Sequence, residues 1–425
     1  MKINHNISAQ LANVNLKKNN DRLSLSMQKL SSGYKITKAA DDSAGLAISN
    51  KMRTQIRALD RSAQNAEDGV SIIESADGAL AEIHSVLQRV RELCVQNAND
   101  TYTLEDRKTS QEEIDQLMDE IDRISSTTEF NGRSLFDGSA SRTVASSIDG
   151  VKALSVSMEA TAGTYTITKA ESGTCGKVAG VLKGVTFPAA ADKSISINSE
   201  TIAINKGDSK ADVEKKIVSA CSSMNLSYDT AKETVTSNVA GYDYYVQVGF
   251  ADGSKSKLDD GRGTDAKVEL KTVQTGVGFT ANAKVSASGN KINIIDNDGF
   301  EMNVELPTTD GSSKTYNNIA FDVYDAGFMT IQIGANEHQT LDMDLPTVSC
   351  DVLGLRNEDG KNLLNVCTNY GASTGIALAD SAIRQISSSR AELGAYQNRL
   401  ETTVSSLNVF GENMTESMSR IIDTD

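Results

Sequence analysis

Apolar residues recur at intervals of three and four along the C-terminal end of the chain. The stripe runs from Ile376 to Ile421 and is interrupted at Arg390, Gln397 and Gly411. This spacing places the apolar side chains on one face of a helix, and such a face is stabilised only when a partner covers it. The pattern therefore predicts a long helix that shares a seam with another helix. The predicted seam residues on it are Ile383, Ile386, Leu393, Leu400, Val404 and Leu407.

A matching stripe occupies residues 52–94, far away in the sequence. Apolar residues again recur at threes and fours, with one skip between Ile73 and Ala76. We expect these two distant segments to pack on each other, although the pattern does not fix which residues touch. The predicted seam residues on this second helix are Ile56, Leu59, Val70, Ile73, Leu80, Ile83, Leu87 and Val90.

Two further helices are predicted in the N-terminal part of the chain. One covers about residues 4–31, carries an apolar stripe that changes register near residues 17–20, and ends near Ser32 and Gly33. The other begins after Thr103, whose hydroxyl can form a capping box with the residue three positions on. It doubles back after a turn at residues 99–100. Its apolar stripe consists of Ile114, Leu117, Ile121 and Ile124.

Between about residues 139 and 325 the pattern changes to two-residue alternation among Ser, Thr, Gly, Ala and Val. Residues 164–168 and 244–248 are typical of strands, because successive side chains on a strand point to opposite faces. Ser209 and Asp212 are placed to cap a helix over residues 210–223. This middle segment is therefore predicted to be mostly β with at least one helix.

Two hairpins are predicted within the middle segment. One turns at Asp298-Gly299, a pair that readily adopts the positive φ values of a two-residue turn, and the other covers residues 194–206. Residues 296–299 also resemble the start of a calcium loop, but the carboxylate that such a loop needs downstream is missing. We therefore favour a turn at residues 296–299.

Composition narrows the possible functions. The chain has 425 residues, only 3 prolines and no tryptophan, so both ends can carry long helices with small aliphatic seams. Its net charge of -15 provides no basic field for nucleic acid or an anionic membrane. No apolar run approaches the length of a membrane span, and no apolar signal core follows Met1. We expect a soluble, elongated protein without nucleic-acid binding or membrane insertion.

Residues for catalysis or metal binding are sparse. The histidines, His5, His84 and His338, are far apart in the sequence, and no phosphate-binding loop or metallopeptidase motif occurs. Cys94 falls on the seam and is interpreted as a small buried apolar group. We predict no enzyme activity, no metal and no cofactor. We also predict free thiols at all five scattered cysteines, which are Cys94, Cys175, Cys221, Cys350 and Cys367.

One face of the 52–94 helix is a candidate interaction surface. At 100° per residue, Arg89, Glu92, Leu93 and Gln96 turn away from the seam, and Gln88 lies beside them. Leu93 is therefore expected to be exposed among polar groups. The pattern is compatible with a solvated flank that carries one harmless leucine, and also with an interaction surface.

Several motifs closely resemble bacterial flagellin, and they lie at both ends of the chain. Residues 194–224 resemble, more weakly, a small repeat found in flagellin and hook-associated inserts. The matching terminal segments are 30–36 (LSSGYKI), 39–48 (AADDSAGLAI), 65–69 (NAEDG), 87–93 (LQRVREL), 130–132 (FNG), 331–336 (IQIGAN) and 393–400 (LGAYQNRL).

The resemblance implies an α+β multidomain protein. Its N- and C-terminal segments would form an elongated, coiled-coil-like helical bundle, and a mostly β domain would be inserted between them. We expect residues 1–43 to form a filament-core helix segment, and residues 44–138 plus 326–425 a discontinuous helical rod with a small β-hairpin. Residues 139–325 would be a variable surface domain that includes a hairpin-helix repeat at 194–224.

The resemblance also implies a function. The chain would be an extracellular structural subunit of the bacterial flagellar filament, exported unfolded and polymerised through its terminal helices for motility. Expected partners are copies of itself, an export chaperone, and the cap and hook-filament junction proteins. Family members end with a further helix that pairs with the first, and this sequence ends before it, so residues 1–43 are expected to lack that partner.

The host receptor Toll-like receptor 5 is a further expected partner. Arg89, Leu93 and Glu113 match in kind the flagellin surface that this receptor recognises. This resemblance favours the interaction surface over the solvated flank. Two alternatives remain open, a hook-filament junction protein and a flagellin-type adhesin with a glycan-binding insert.

Overall fold

The structure is a computed structural model, and it describes residues 6–157, 160–198, 200–257, 259–273, 277–296, 300–307, 313–324, 326–357 and 362–424. The chain divides into two compact units. The first unit consists of Met1–Ile73, Thr330–Asp342 and Ala395–Asp425. The second unit consists of Glu74–Met329 and Met343–Gly394. This division differs from the domain boundaries expected from the sequence, which remain a prediction.

Helices form where the sequence has apolar residues at threes and fours. Both long seam helices exceed 50 residues, which agrees with the absence of proline from these segments. The described helices are α1 (Ile7–Ser32), α2 (Ser43–Asn97), α3 (Leu104–Thr127), α4 (Lys210–Ser223) and α5 (Asn369–Ile422).

Specific residues fix the ends of these helices, as predicted. α1 ends because Gly33 adopts a left-handed φ of 74°, and its N–H donates to the carbonyl of Lys29. α3 begins with a complete capping box between Thr103 and Asp106. The hydroxyl of Ser209 accepts from the backbone N–H three residues later and caps α4.

Strands are the main regular secondary structure between α3 and α5. Two four-stranded sheets have the orders β12-β5-β16-β3 and β13-β14-β15-β4, and two three-stranded sheets have the orders β6-β10-β9 and β11-β7-β8. The described strands are β1 (Glu129–Phe130), β2 (Arg133–Ser134), β3 (Val144–Ser146), β4 (Lys152–Val156), β5 (Gly163–Glu171), β6 (Cys175–Ala179), β7 (Lys193–Ile197), β8 (Glu200–Ile204), β9 (Leu226–Asp229), β10 (Thr234–Ala240), β11 (Val248–Gly249), β12 (Lys267–Leu270), β13 (Lys284–Ser288), β14 (Lys291–Ile295), β15 (Glu301–Glu305), β16 (Thr315–Val323), β17 (Met329–Gln332) and β18 (Thr340–Met343).

In the first unit, α2 and α5 approach each other closely at Gly69. A Cβ atom at this glycine would lie 2.4 Å from Ile331 Cδ1 and 3.1 Å from Leu400 Cδ1. The amide of Asn65 donates to the carbonyl of Gln332, so the end of β17 is tied to α2. These contacts pack the predicted small hairpin against both seam helices.

In the second unit, α2 and α5 are joined by two ion pairs. Arg390 Nε lies 2.7 Å from Asp77 Oδ1, and Arg91 Nε lies 2.6 Å from Asp380 Oδ1. Because the partner's number falls along α5 as the number rises along α2, the two helices run antiparallel. The predicted partnership of the two long helices is therefore present in both units.

The β segment has two hydrophobic cores. Ile167 and Phe321 from one four-stranded sheet share a core with Ile294 and Met302 from the other, so these sheets pack face to face. A second core joins the two three-stranded sheets to α4. The predicted hairpin at 194–206 is present as β7 and β8, and the predicted helix at 210–223 is α4.

One predicted strand is mostly absent. Within residues 244–248 only Val248 belongs to a strand, β11. The ring of Tyr245 instead packs edge-on against Tyr370 at 4.8 Å, and its backbone forms an isolated bridge with Arg262. Aromatic packing overrides the alternation at this point. The predicted turn at Asp298-Gly299 lies outside the described residues, although β14 and β15 pair on either side of it.

Candidate functional site

The candidate interaction surface is centred on an ion pair between α2 and α3. Arg89 donates from Nε and Nη2 to Glu113 Oε1, at 2.9 and 2.8 Å, and from Nη1 to Glu92 Oε2 at 3.3 Å. These side chains remain 48%, 44% and 69% exposed, respectively. The hydrogen bond to Glu113 raises the pKa of Arg89 above its ordinary value. The result is a polar surface in contact with solvent.

Two glutamines extend this surface along α2. Gln88 and Gln96 are both exposed, one on each side of the ion pair. The Gln88 amide nitrogen lies 2.9 Å from His84 Nε2, one turn earlier on the helix. The predicted surface residues Gln88, Arg89, Glu92 and Gln96 are therefore brought together with Glu113.

The expected exposure of Leu93 was wrong. Leu93 is only 2% exposed. α3 is joined to α2 through the Arg89–Glu113 pair before this leucine, and to the turn that follows α2 through a bond from Arg107 to the carbonyl of Asn99. α3 thus covers a second face of α2. A helical wheel that considers only the seam with α5 cannot show this burial.

The predicted seam residues are buried or half-buried throughout. Arg390, which interrupts the stripe in the sequence, is half-buried and paired with Asp77. Sequence reasoning missed this pairing, although a charged residue inside an apolar stripe is a signal that a partner charge faces it. Buried seam residues are Leu59, Ile73, Leu80, Ile83, Leu87, Val90, Ile386, Leu393 and Leu400, and half-buried ones are Ile56, Val70, Ile383, Val404 and Leu407.

A second exposed surface lies on α1, and it is apolar. None of the described residues of this helix is buried, and Ile7 and Leu30 are 71% and 78% exposed. Single exposed leucines are ordinary on proteins, but a helix that exposes this many is not. The large apolar side chains exposed on α1 are Ile7, Leu11, Val14, Leu16, Leu23, Leu25, Met27 and Leu30.

The cysteines are free thiols, as predicted. Burial raises the pKa of Cys94 to about 12, so this residue stays protonated and behaves as a small apolar group on the seam. Among the described residues no cluster of histidine, cysteine, aspartate and glutamate is arranged to hold a metal ion. The described helices include none that is long and apolar enough to cross a membrane.

The two ends of the chain match models of two regions of one protein family. Residues 3–141 match the bacterial flagellin N-terminal helical region, and residues 376–425 match the bacterial flagellin C-terminal helical region. A flagellin from Clostridium tyrobutyricum is 33% identical over 430 residues, which cover 100% of this chain and 92% of that protein. Flagellin B from Vibrio anguillarum is 30% identical over 424 residues, which cover 100% of this chain and 89% of that protein.

Solved structures of flagellar proteins are also similar, but only weakly. Flagellar hook-associated protein-3 from Legionella pneumophila matches with a TM-score of 0.33 and 15% identity, over 88% of this chain and 98% of that one. FliC from Burkholderia pseudomallei matches with a TM-score of 0.26 and 16% identity, over 78% of this chain and 99% of that one.

The full-length relatives and the two matched terminal regions agree with each other and with the observed α+β fold. They are flagellins, which form the extracellular flagellar filament and are structural proteins, not enzymes. The alternative of a hook-filament junction protein is therefore set aside, and the chain belongs to the bacterial flagellin family as a structural subunit of the filament.

Proposed function

We propose that this filament subunit polymerises through its terminal helices, with α1 as the main site of association. The supporting observation is the apolar surface of α1, on which eight large side chains are exposed. At about 1.5 kcal/mol for each side chain, burying them would return on the order of 10 kcal/mol. Helix formation alone gives α1 little stability in water, so association would both cover and stabilise it.

Charge substitutions on α1 test this proposal. Leu11→Asp combined with Leu23→Asp places two charges on the apolar stripe, and assembly followed by light scattering and electron microscopy should be abolished. Asn19→Asp combined with Asn20→Asp is the matched control, because it adds the same charge to the same helix at polar positions. Assembly that survives the leucine substitutions, or that is lost equally in the control, would contradict the role of the stripe.

The α2–α3 surface is proposed as the binding site for Toll-like receptor 5. Support comes from the segment LQRVREL at 87–93 and from the exposed, mutually bonded Arg89, Glu92 and Glu113. Leu93 is buried and would contribute indirectly, by packing α2 against α3. Interfaces of this kind favour arginine among their central contacts.

A charge reversal at Arg89 tests receptor binding. Arg89→Glu should lower affinity about tenfold or more, measured by surface plasmon resonance with the receptor ectodomain and by a reporter-cell assay. Arg123→Glu is the matched control, because Arg123 is also an exposed arginine paired to a glutamate, Glu120, but this pair lies within α3 and outside the candidate surface. Equal binding by the Arg89 variant and the unmodified chain would refute the proposed site.

Further partners are proposed on the basis of family membership. They are an export chaperone, the cap protein and the hook-filament junction proteins. The exposed apolar side chains of α1 are suited to a chaperone that shields them before assembly. Co-purification of the unmodified chain with each partner, compared with the Leu11→Asp, Leu23→Asp variant, tests whether α1 is the shared contact.

The domain division is likewise proposed. Residues 139–325 would be an insert that can be removed without unfolding the helical rod. Deletion of residues 140–324 with a short flexible link should preserve the helical circular dichroism signal, because inserted domains join at surface sites. A deletion variant without helical signal would show that the insert is required for the fold.

A further inference from the structure

A row of small polar side chains crosses one four-stranded sheet of the insert. The strand registers place Ser286 opposite Asn293, Asn293 opposite Asn303, and Asn303 opposite Ser155. These four residues, called the polar row, lie on the sheet face opposite the one that carries the buried core residues Ile292, Ile294, Met302 and Val304. A sheet face that is polar and also covered requires an explanation.

The polar row lines a groove between this sheet and α5. Two adjacent cavities, of about 270 and 570 Å³, form the groove. Ligand sites in proteins typically measure roughly 300–1,000 Å³, so the groove has sufficient room for a small ligand. Both cavities are lined by Leu154, Asn303, Val352, Leu353 and Gln385.

Three amide atoms in the wall of the smaller cavity lack hydrogen-bond partners. Asn290 Nδ2, Asn293 Oδ1 and Gln385 Oε1 are buried and unpaired among the residues that the structure describes. The other amide atom of Asn293 is engaged, because its Nδ2 donates to Glu301 Oε1 at 2.7 Å. Buried polar atoms are almost always paired in native proteins, so these donors and acceptors are positions at which polar groups of a ligand can bind.

The charges around the groove do not suit an anion. Glu301, Asp344 and Glu392 line the larger cavity together with the guanidinium of Arg142. That guanidinium already donates to the backbone carbonyls of Ala160 and Tyr324. A phosphate, sulfate or acidic sugar would therefore meet more carboxylates than available cations.

Lys291 is also engaged. Its ammonium group donates to the backbone carbonyls of Asp351 and Arg356. Glu305 adds a buried carboxylate to the smaller cavity, so the groove offers no charge that would attract an anion. Its other lining groups are neutral amides and hydroxyls, with aliphatic side chains such as Leu154 and Leu353 beside them.

We propose that this groove binds a short neutral oligosaccharide. Sugar hydroxyls both donate and accept, so they can satisfy the amide N–H and C=O groups of Asn290, Asn293 and Gln385. The C–H faces of a sugar ring would pack on Leu154, Val352 and Leu353. This binding activity is separate from filament assembly, because none of the groove residues lies on α1.

Saturation-transfer NMR of the full chain with lactose, cellobiose and N-acetyllactosamine tests the proposal, and sialyllactose serves as the anionic comparison. We expect transfer to at least one neutral sugar. Asn293→Leu and Gln385→Leu should each weaken binding about tenfold or more. Asn317→Leu is the matched control, because Asn317 is exposed on β16 and lies outside both cavities.

A second measurement does not depend on the variants folding. In the unmodified chain, the bound sugar should shift the side-chain amide signals of Asn293, Asn303 and Gln385 and leave that of Asn317 unchanged. The proposal is overturned if no neutral sugar binds, if sialyllactose binds more tightly than its neutral counterparts, or if the shifts fall outside the groove. Equal weakening by Asn317→Leu would also overturn it.

Discussion

α1 and α2 both carry apolar stripes with helical spacing, yet the stripe of α2 is buried and that of α1 is exposed. Ile73, Leu80 and Leu87 on α2 are fully buried, whereas α1 has no buried residue among those described. The difference lies in what faces each helix, because α2 is covered by α5 and also by α3. An apolar stripe therefore predicts that a partner is needed, but not that the partner lies in the same subunit.

Hydrogen exchange should give the largest difference between these helices. In a dilute monomer, amides of α1 should exchange at rates close to those of an unfolded peptide, because opening this helix exposes no buried contact. Amides of α2 near Ile83 should open only with global unfolding and be protected by several orders of magnitude. Mass spectrometry of peptides from both helices measures this directly. Protection of α1 equal to that of α2 at low concentration would remove the basis of the comparison.

A charge placed on the buried seam and a charge placed on the α1 stripe should produce the next largest difference, which is in the free energy of unfolding. Leu400→Asp puts a carboxylate at a fully buried position, and we expect a loss of about 4 kcal/mol in unfolding free energy from lost burial and an unpaired charge. Leu23→Asp is the matched substitution at a position that is 63% exposed, and its effect on the monomer should stay within about 0.5 kcal/mol. Urea titration followed by circular dichroism measures both. An unchanged transition midpoint for Leu400→Asp would contradict the seam.

Residue patterns predicted much of this fold because local rules act over short distances. The capping box at Thr103, the helix end at Gly33 and the partnership of α2 with α5 all follow from spacing and capping chemistry. The burial of Leu93 could not be predicted in this way, because it depends on where α3 packs. The groove beside α5 depends on how a sheet face meets a helix distant in sequence.

Two glycines of α2, the buried Gly69 and the exposed Gly78, refine the comparison further. Gly69 allows Ile331 and Leu400 to approach the helix backbone, so a larger side chain must displace both. We expect Gly69→Leu to destabilise the chain by about 2 kcal/mol, because overpacking a tight core forces its neighbours out of position. Denaturant unfolding would measure the loss. A stabilised variant would mean that the contact at Gly69 is looser than its geometry indicates.

Substitution of Gly78 should raise the stability of the chain, whereas substitution of Gly69 lowers it. This change in stability should be the smallest of those predicted here. A Cβ atom at Gly78 would meet nothing within 4 Å beyond its own helix, so alanine adds helix propensity without a packing penalty. Because glycine costs about 1 kcal/mol relative to alanine inside a helix, Gly78→Ala should stabilise the chain by about 0.5–1 kcal/mol. Gly411→Ala on α5 is the second test, because a Cβ atom there also meets open space and this glycine interrupts the apolar stripe. The two gains should add, since the glycines lie on different helices and a Cβ atom at either one would have no neighbour within 4 Å. If Gly78→Ala instead lowers the denaturant midpoint as Gly69→Leu does, the added methyl group is not accommodated within the subunit, and the open space around Gly78 would not distinguish it from Gly69.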